Sequence, residues 1–281
     1  MAQPTQNIYD NPTFFSAYST LPRSAHGLDE APEWPTLQQW ITGSSSNIQN
    51  QRVLDLGCGY GWFARWARES RASYIRAIDV SERMIDRATE FDQQGDKSEH
   101  AQPETIRYEI GDLETITFDS QEKDSYGLVY SSLTFHYIED LGRLFREIRA
   151  CLIKPSSSDK DHTKRRGKLV FSVEHPVCTA PVVPAGDWKV VQDDQGVGRK
   201  FWPLNNYSEE GLRTTSWLGT EGVRKYHRTV ETYVSLLLEN GFVLTGLKDW
   251  VPSREDVERH PEWKDERHRP YFLLIAAEVW N

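Results

Sequence analysis

Between Arg52 and Val173 short apolar runs alternate with amphipathic stretches, the pattern of a parallel α/β sheet. RVLDL is the first run, and a helical stretch follows from Tyr60 to about Ser70. YIRAIDV comes next, then a helix opening at Ser81, a residue type that caps helix starts, with Met84, Ile85 and Ala88 on its apolar face. IRYEI and GLVYSS predict a third and a fourth strand. From Asp140 onward Leu141, Leu144, Phe145, Ile148 and Leu152 recur at helical spacing, and KLVFSV predicts a fifth strand. Thr229 to Asn240 reads as a helix stopped by Gly241, and FVLTGLKDW and YFLLIAAEV as two further strands.

Three segments break the alternation. Residues 1–50 hold Tyr9, Phe14, Phe15, Tyr18, Trp34 and Trp40 ahead of the first strand, and are expected to form a lid on a core running from 51 to 281. Residues 154–168 are polar and low in complexity. Residues 174–228 form an aromatic-rich insertion after the fifth strand, longer than a mere connection, and are expected to bind substrate.

Composition narrows the function classes. The chain has 281 residues, with no run near the roughly 20 apolar residues of a membrane helix. Its start, MAQPTQNIYDNPTFF, shows neither a basic stretch nor an apolar h-region, so a cytoplasmic protein is expected. Cys58, Cys151 and Cys178 lie far apart, against a disulfide framework or a zinc site, and the histidines lack ligand spacing, so no metal is expected. A net charge of −9 makes nucleic acid a poor partner, although Lys164-Arg165-Arg166 is a local basic run. A small-molecule substrate and a monomer or homodimer are the expectation.

The candidate chemistry begins at VLDLGCGYGWF, residues 53–63. In an open parallel sheet, ligands bind beyond the carboxyl ends of the strands, and Gly57, Gly59 and Gly61 stand at such an end. A Walker loop needs Lys and then Ser or Thr after its last glycine, and Trp62-Phe63 follows instead. The dinucleotide fingerprint would put its third glycine at position 62, where a tryptophan obstructs close helix–strand packing, which disfavours a nucleotide-dependent oxidoreductase. Asp79 ends the second strand about 20 residues past the loop, where an acid can take ribose hydroxyls of either a dinucleotide or another nucleoside ligand.

Asp55-Leu56-Gly57-Cys58-Gly59-Tyr60-Gly61 resembles the first motif of class I S-adenosylmethionine-dependent methyltransferases of small-molecule type. "GDLE", "LVYSSLTFHYIEDLGRLFREIRACLIKP" and "GKLVFSVEHP" fall where that resemblance requires, and the ends of the chain look like a widespread group within the family. The resemblance implies a Rossmann-like α/β fold: a seven-stranded, mostly parallel sheet with helices on both faces, an N-terminal helical lid and the insertion after strand five. It implies S-adenosylmethionine as cofactor and S-adenosylhomocysteine as product. The implied cofactor contacts are Asp55, Gly57, Gly59 and Gly61, then Asp79, Val80 and Met84, then Asp112, Leu113 and Glu114, and Ser131 and Ser132. Tyr18 and Arg23 become lid contacts, Arg23 to the cofactor carboxylate.

Methyl transfer from a sulfonium is an in-line displacement, so alignment and a dry site are the main requirements, with a base where the acceptor holds its proton. His175, just past the fifth strand, is the first choice of base, ahead of His136, His227 and His26. Trp188, Trp202, Tyr207 and Trp217 are expected to line the acceptor pocket and to stack on an aromatic or polycyclic acceptor. The serine-rich tract points to a fungal member, and fungal relatives are similar to O-methyltransferases of indole-alkaloid pathways, such as those making meleagrin and oxaline. Transfer to nitrogen or carbon, and a binding protein without catalysis, stay open as alternatives.

Overall fold

A computed structural model describes residues 5–44, 47–95, 105–154, 166–183 and 185–280; most of the polar tract noted at 154–168 lies outside them. The central sheet has the order β10-β11-β5-β4-β1-β2-β3. Its strands are β1 (Arg52–Leu56), β2 (Tyr74–Asp79), β3 (Ile106–Ile110), β4 (Leu128–Ser132), β5 (Lys168–Glu174), β10 (Phe242–Trp250) and β11 (Phe272–Val279). Neighbours from β5 through β3 pair in parallel, and β11 runs antiparallel to both β5 and β10. The architecture is the one expected.

The alternation of each strand decides which helix layer it meets. Leu54, Leu56 and Ile78 join the cluster under α6 (Leu141–Cys151) and α8 (Val230–Glu239), with Leu144, Phe145, Ile148 and Leu237. Val53, Ile75 and Ala77 face the other way, against Leu37 and Ile41 of α3 (Trp34–Thr42) and Phe63, Ala64 and Ala67 of α4 (Trp62–Glu69). Side-chain caps set the helix starts: Ser81 accepts from the Met84 amide at the head of α5 (Glu82–Gly95), Asp140 caps α6 and Thr229 caps α8.

The N-terminal segment carries α1 (Pro12–Ser19) and α2 (Pro22–His26) ahead of α3. It docks on the carboxyl edge of the sheet, where Asp10 accepts from the Ser81 hydroxyl at 2.6 Å and Thr5 donates to Asp112 at 2.6 Å. After β5 the insertion folds into the short α7 (Pro176–Thr179) and two hairpins, β6 (Lys189–Gln192) with β7 (Gly198–Phe201), and β8 (Gly211–Trp217) with β9 (Thr220–His227). The sequence does not announce the first hairpin, because β6–β7 is exposed almost throughout and buries no alternating face. The second hairpin reaches the N-terminal segment, where Gln6 exchanges hydrogen bonds with the Arg224 backbone. Between β10 and β11 stands α9 (Arg254–Arg259). Among the described residues no helix is long and apolar enough to cross a membrane, and no cluster of metal-ligating side chains forms.

Candidate functional site

A cavity of about 1290 Å³ lies beyond the carboxyl ends of β1, β2, β4 and β5, roofed by the N-terminal segment and the β8–β9 hairpin. Its floor is the glycine loop. Gly57 and Cys58 donate their amides to the Ile78 carbonyl at 2.8 and 2.9 Å, which pins the loop to β2. Gly57 has φ +75°, and a side chain there would meet the Thr134 hydroxyl at 2.1 Å. Gly59 has φ +51° with open space where a Cβ would stand, so the backbone is bare toward the cavity. Gly61 serves differently: it leads into α4 with φ +70°, its Cβ position blocked by Tyr108, and it is not on the cavity wall.

Two acids face this loop. Asp55 is buried, and its Oδ2 has no hydrogen-bond partner; burial, with Asp79 beside it, pushes its carboxyl well above the usual range. Asp79 accepts from the Gly59 amide at 2.9 Å and from the Ser81 amide at 3.0 Å. Burial pushes the Asp79 carboxyl up to about 6 against the pull of those amides. A buried, unpartnered carboxylate oxygen on a cavity wall suits an ammonium group, so the residues present fit the expected cofactor.

Val80, Met84, Asp112, Leu113, Glu114 and Ser132 continue the wall, with Tyr18 and Arg23 above. Arg23 already holds Glu33 through both terminal guanidinium nitrogens at 2.7 Å, so it presents a balanced charge with donors to spare. Ser131 is a correction: strand alternation turns it from the cavity, and its hydroxyl donates to the Leu56 carbonyl at 2.7 Å.

The histidines fall differently from the expectation. His175 is off the cavity wall: its Nδ1 accepts from the Val177 amide at 3.1 Å, capping α7, so its Nε2 donates to Asp249 at 2.9 Å. His227, at the end of β9, is buried off the cavity wall, taking the Thr179 hydroxyl on Nδ1 and donating from Nε2 to the Tyr207 carbonyl. His26 lies exposed at the end of α2, also off the wall. His136 alone of the four lines the cavity, and its Nδ1 accepts the Glu174 amide at 3.3 Å, which leaves the proton on Nε2. Burial, with Lys225 and Arg228 nearby, holds its pKa well below the ordinary value. This imidazole is a neutral donor, and its one lone pair is occupied.

The first-choice base was one residue out of phase. Glu174, not His175, faces the cavity, paired with Lys225 of β9 at 2.5 Å. The cue was strand alternation itself, which sends neighbours to opposite faces. Lys225 carries no such cue, because β9 shows no apolar alternation.

Trp202 and Trp217 line the cavity as expected, whereas Trp188 and Tyr207 do not. Trp188 packs edge-on to Trp202 at 5.6 Å, outside the wall, and Tyr207 holds His227 and the head of α8 in place. Tyr137, in the stretch after β4 that the resemblance sets beside the ligand, and Tyr271, which the sequence did not single out, complete the ring-bearing walls. Burial, and Glu174 near both, keep their hydroxyls protonated above the usual range.

Comparison with known proteins agrees with this fold. Residues 54–156 match the methyltransferase domain family. A solved S-adenosylmethionine-dependent methyltransferase from Mesorhizobium loti is similar at 37% identity and a TM-score of 0.73, covering 90% of this chain and 100% of that one. An uncharacterized protein from Haemophilus influenzae is 29% identical over 272 residues, 96% of each chain. A malonyl-[acyl-carrier protein] O-methyltransferase from Erwinia billingiae is 30% identical over 108 residues, 38% of this chain and 37% of that one.

Proposed function

The chain belongs to the S-adenosylmethionine-dependent methyltransferases, and from that premise we propose that it methylates an oxygen of a small acceptor built on an aromatic ring. When bound, the cofactor supplies a methyl group activated by a positive sulfur. The protein's own part is to hold, align and keep dry. Asp55 meets positive charge at the glycine loop, Asp79 takes hydroxyl donors, and the bare Gly59 backbone lets the ligand lie close.

The observation that carries the reading is the chamber beyond the loop. At about 1290 Å³ the cavity exceeds the roughly 300–1,000 Å³ that one drug-sized ligand fills, leaving room for two. Trp202, Trp217, Tyr137 and Tyr271 wall its far end, faces on which a flat ring can stack. Oxygen as acceptor atom has support from the partial likeness to an O-methyltransferase.

Methyl transfer from labelled S-adenosylmethionine to a panel of phenols, aromatic acids and indole alkaloids, the meleagrin and oxaline kind included, tests this. Labelling of aromatic members over aliphatic alcohols and amines is expected. Labelling of aliphatic members alone would sink the reading, and labelling of none would leave a binding protein.

A further inference from the structure

Two cations stand together on the hairpin wall of the cavity. Arg213 and Lys225 are direct cross-strand partners of the β8–β9 hairpin, and both side chains line the cavity. Like charges set opposite each other on a hairpin are unfavourable unless something anionic lies between. Glu174 answers Lys225, whereas Arg213 donates to the carbonyls of Ala180, Leu212 and Glu209.

Four of the proton acceptors on this wall are already engaged. Glu174 is capped by Lys225, His136 has its lone pair on a backbone amide, and Glu114 accepts from the Glu139 and Asp140 amides. Glu139 takes the Tyr226 hydroxyl at 3.1 Å. Such a wall is suited to an acceptor that has no proton to surrender.

We propose that the acceptor atom is an oxygen already ionised at neutral pH, carried beside the ring and held by Lys225 and Arg213. This rests on the aromatic-acceptor reading above and narrows it to acids, setting alcohols and amines aside. That oxygen forms the new O–CH3 bond as the S–CH3 bond breaks, and the electron pair stays with sulfur. The acceptor's negative charge and the sulfonium's positive charge vanish together, and no proton is released. Lys225 is placed to hold the oxygen while Trp217, 5.6 Å from its ammonium, offers the ring a face.

The test is calorimetry on protein saturated with S-adenosylhomocysteine, titrated with indole-3-acetate, its alcohol counterpart tryptophol and its amine counterpart tryptamine. Indole-3-acetate should bind at least about tenfold more tightly than either. Replacing Lys225→Met and Glu174→Gln together, so that neither charge is stranded, should erase that preference while S-adenosylhomocysteine still binds, which shows the fold intact. Equal or tighter binding of tryptophol or tryptamine, or an unchanged preference in the double variant, overturns the proposal and leaves the aromatic-acceptor reading standing. Binding of none of the three ring compounds removes both.

Discussion

Trp217, at the end of β8, stands edge-on to Phe14 of α1 with ring centroids 5.3 Å apart, and reaches Tyr18 at 6.1 Å. Two segments about 200 residues apart in sequence thus close over one cavity, with this indole adding to the Gln6–Arg224 hydrogen bonds. Each such pair is worth about 0.5–1.5 kcal/mol, so Trp217→Ala should loosen the N-terminal segment by roughly 2 kcal/mol. Faster amide exchange across residues 8–19, with the sheet still protected, is the expected signature. Unchanged exchange there would mean that the polar contacts of Asp10, Thr5 and Gln6 hold the lid without the indole.

Gly57 and Gly59 share a left-handed backbone and differ in what a methyl group would meet. Gly57→Ala drives a Cβ into Thr134 and should unfold or severely destabilise the protein. Gly59→Ala meets nothing, so its cost is the left-handed conformation, about 1–2 kcal/mol, while the methyl stands where the ligand must lie. Thermal unfolding and S-adenosylhomocysteine titration should therefore separate the two. A stable Gly59→Ala variant with normal affinity would show that the loop is not the contact.

The sheet and its ligand edge were legible because burial wrote them as periodicity: Leu54 and Leu56 against Val53 divide two helix layers. The glycine loop was legible because few residues tolerate its backbone. The acceptor end was not. Glu174 and His175 differ by one position, and only the exact strand register tells which of the two enters the cavity. Lys225 and Arg213 sit on a hairpin whose strands are mostly polar and only partly buried, so no apolar alternation announces it. Nor does sequence separate Trp202 from Trp188, since a ring packs equally well on its neighbour or on a ligand.

His175→Ala follows from that correction. The imidazole caps α7 and ties Asp249, so its loss should cost about 1 kcal/mol of stability, as cap removals do. Turnover and S-adenosylhomocysteine affinity should stay within about threefold of the parent at a temperature where both are folded. A loss of turnover by orders of magnitude with affinity intact would restore His175 to the chemistry.

Asp79 gives the site a pH dependence of definite sign. Its carboxyl rises from an ordinary 3.8 to about 6 in the folded protein. Between those values the folded state keeps a proton that the unfolded chain has released. Its contribution to stability is therefore present in acid, falls as pH rises through this window, and is gone above about pH 6. Ligand binding runs the other way, because hydroxyl donors need the ionised form. S-adenosylhomocysteine affinity should be flat near neutrality and weaken up to about tenfold per pH unit below about 6. Asp55 and Asp10 are coupled to this carboxyl, so Asp79→Asn is the decisive comparison. That variant should bind weakly at neutral pH and lose most of the acid-side fall in calorimetry. An acid-side fall as steep as the parent's would transfer the titration to Asp55.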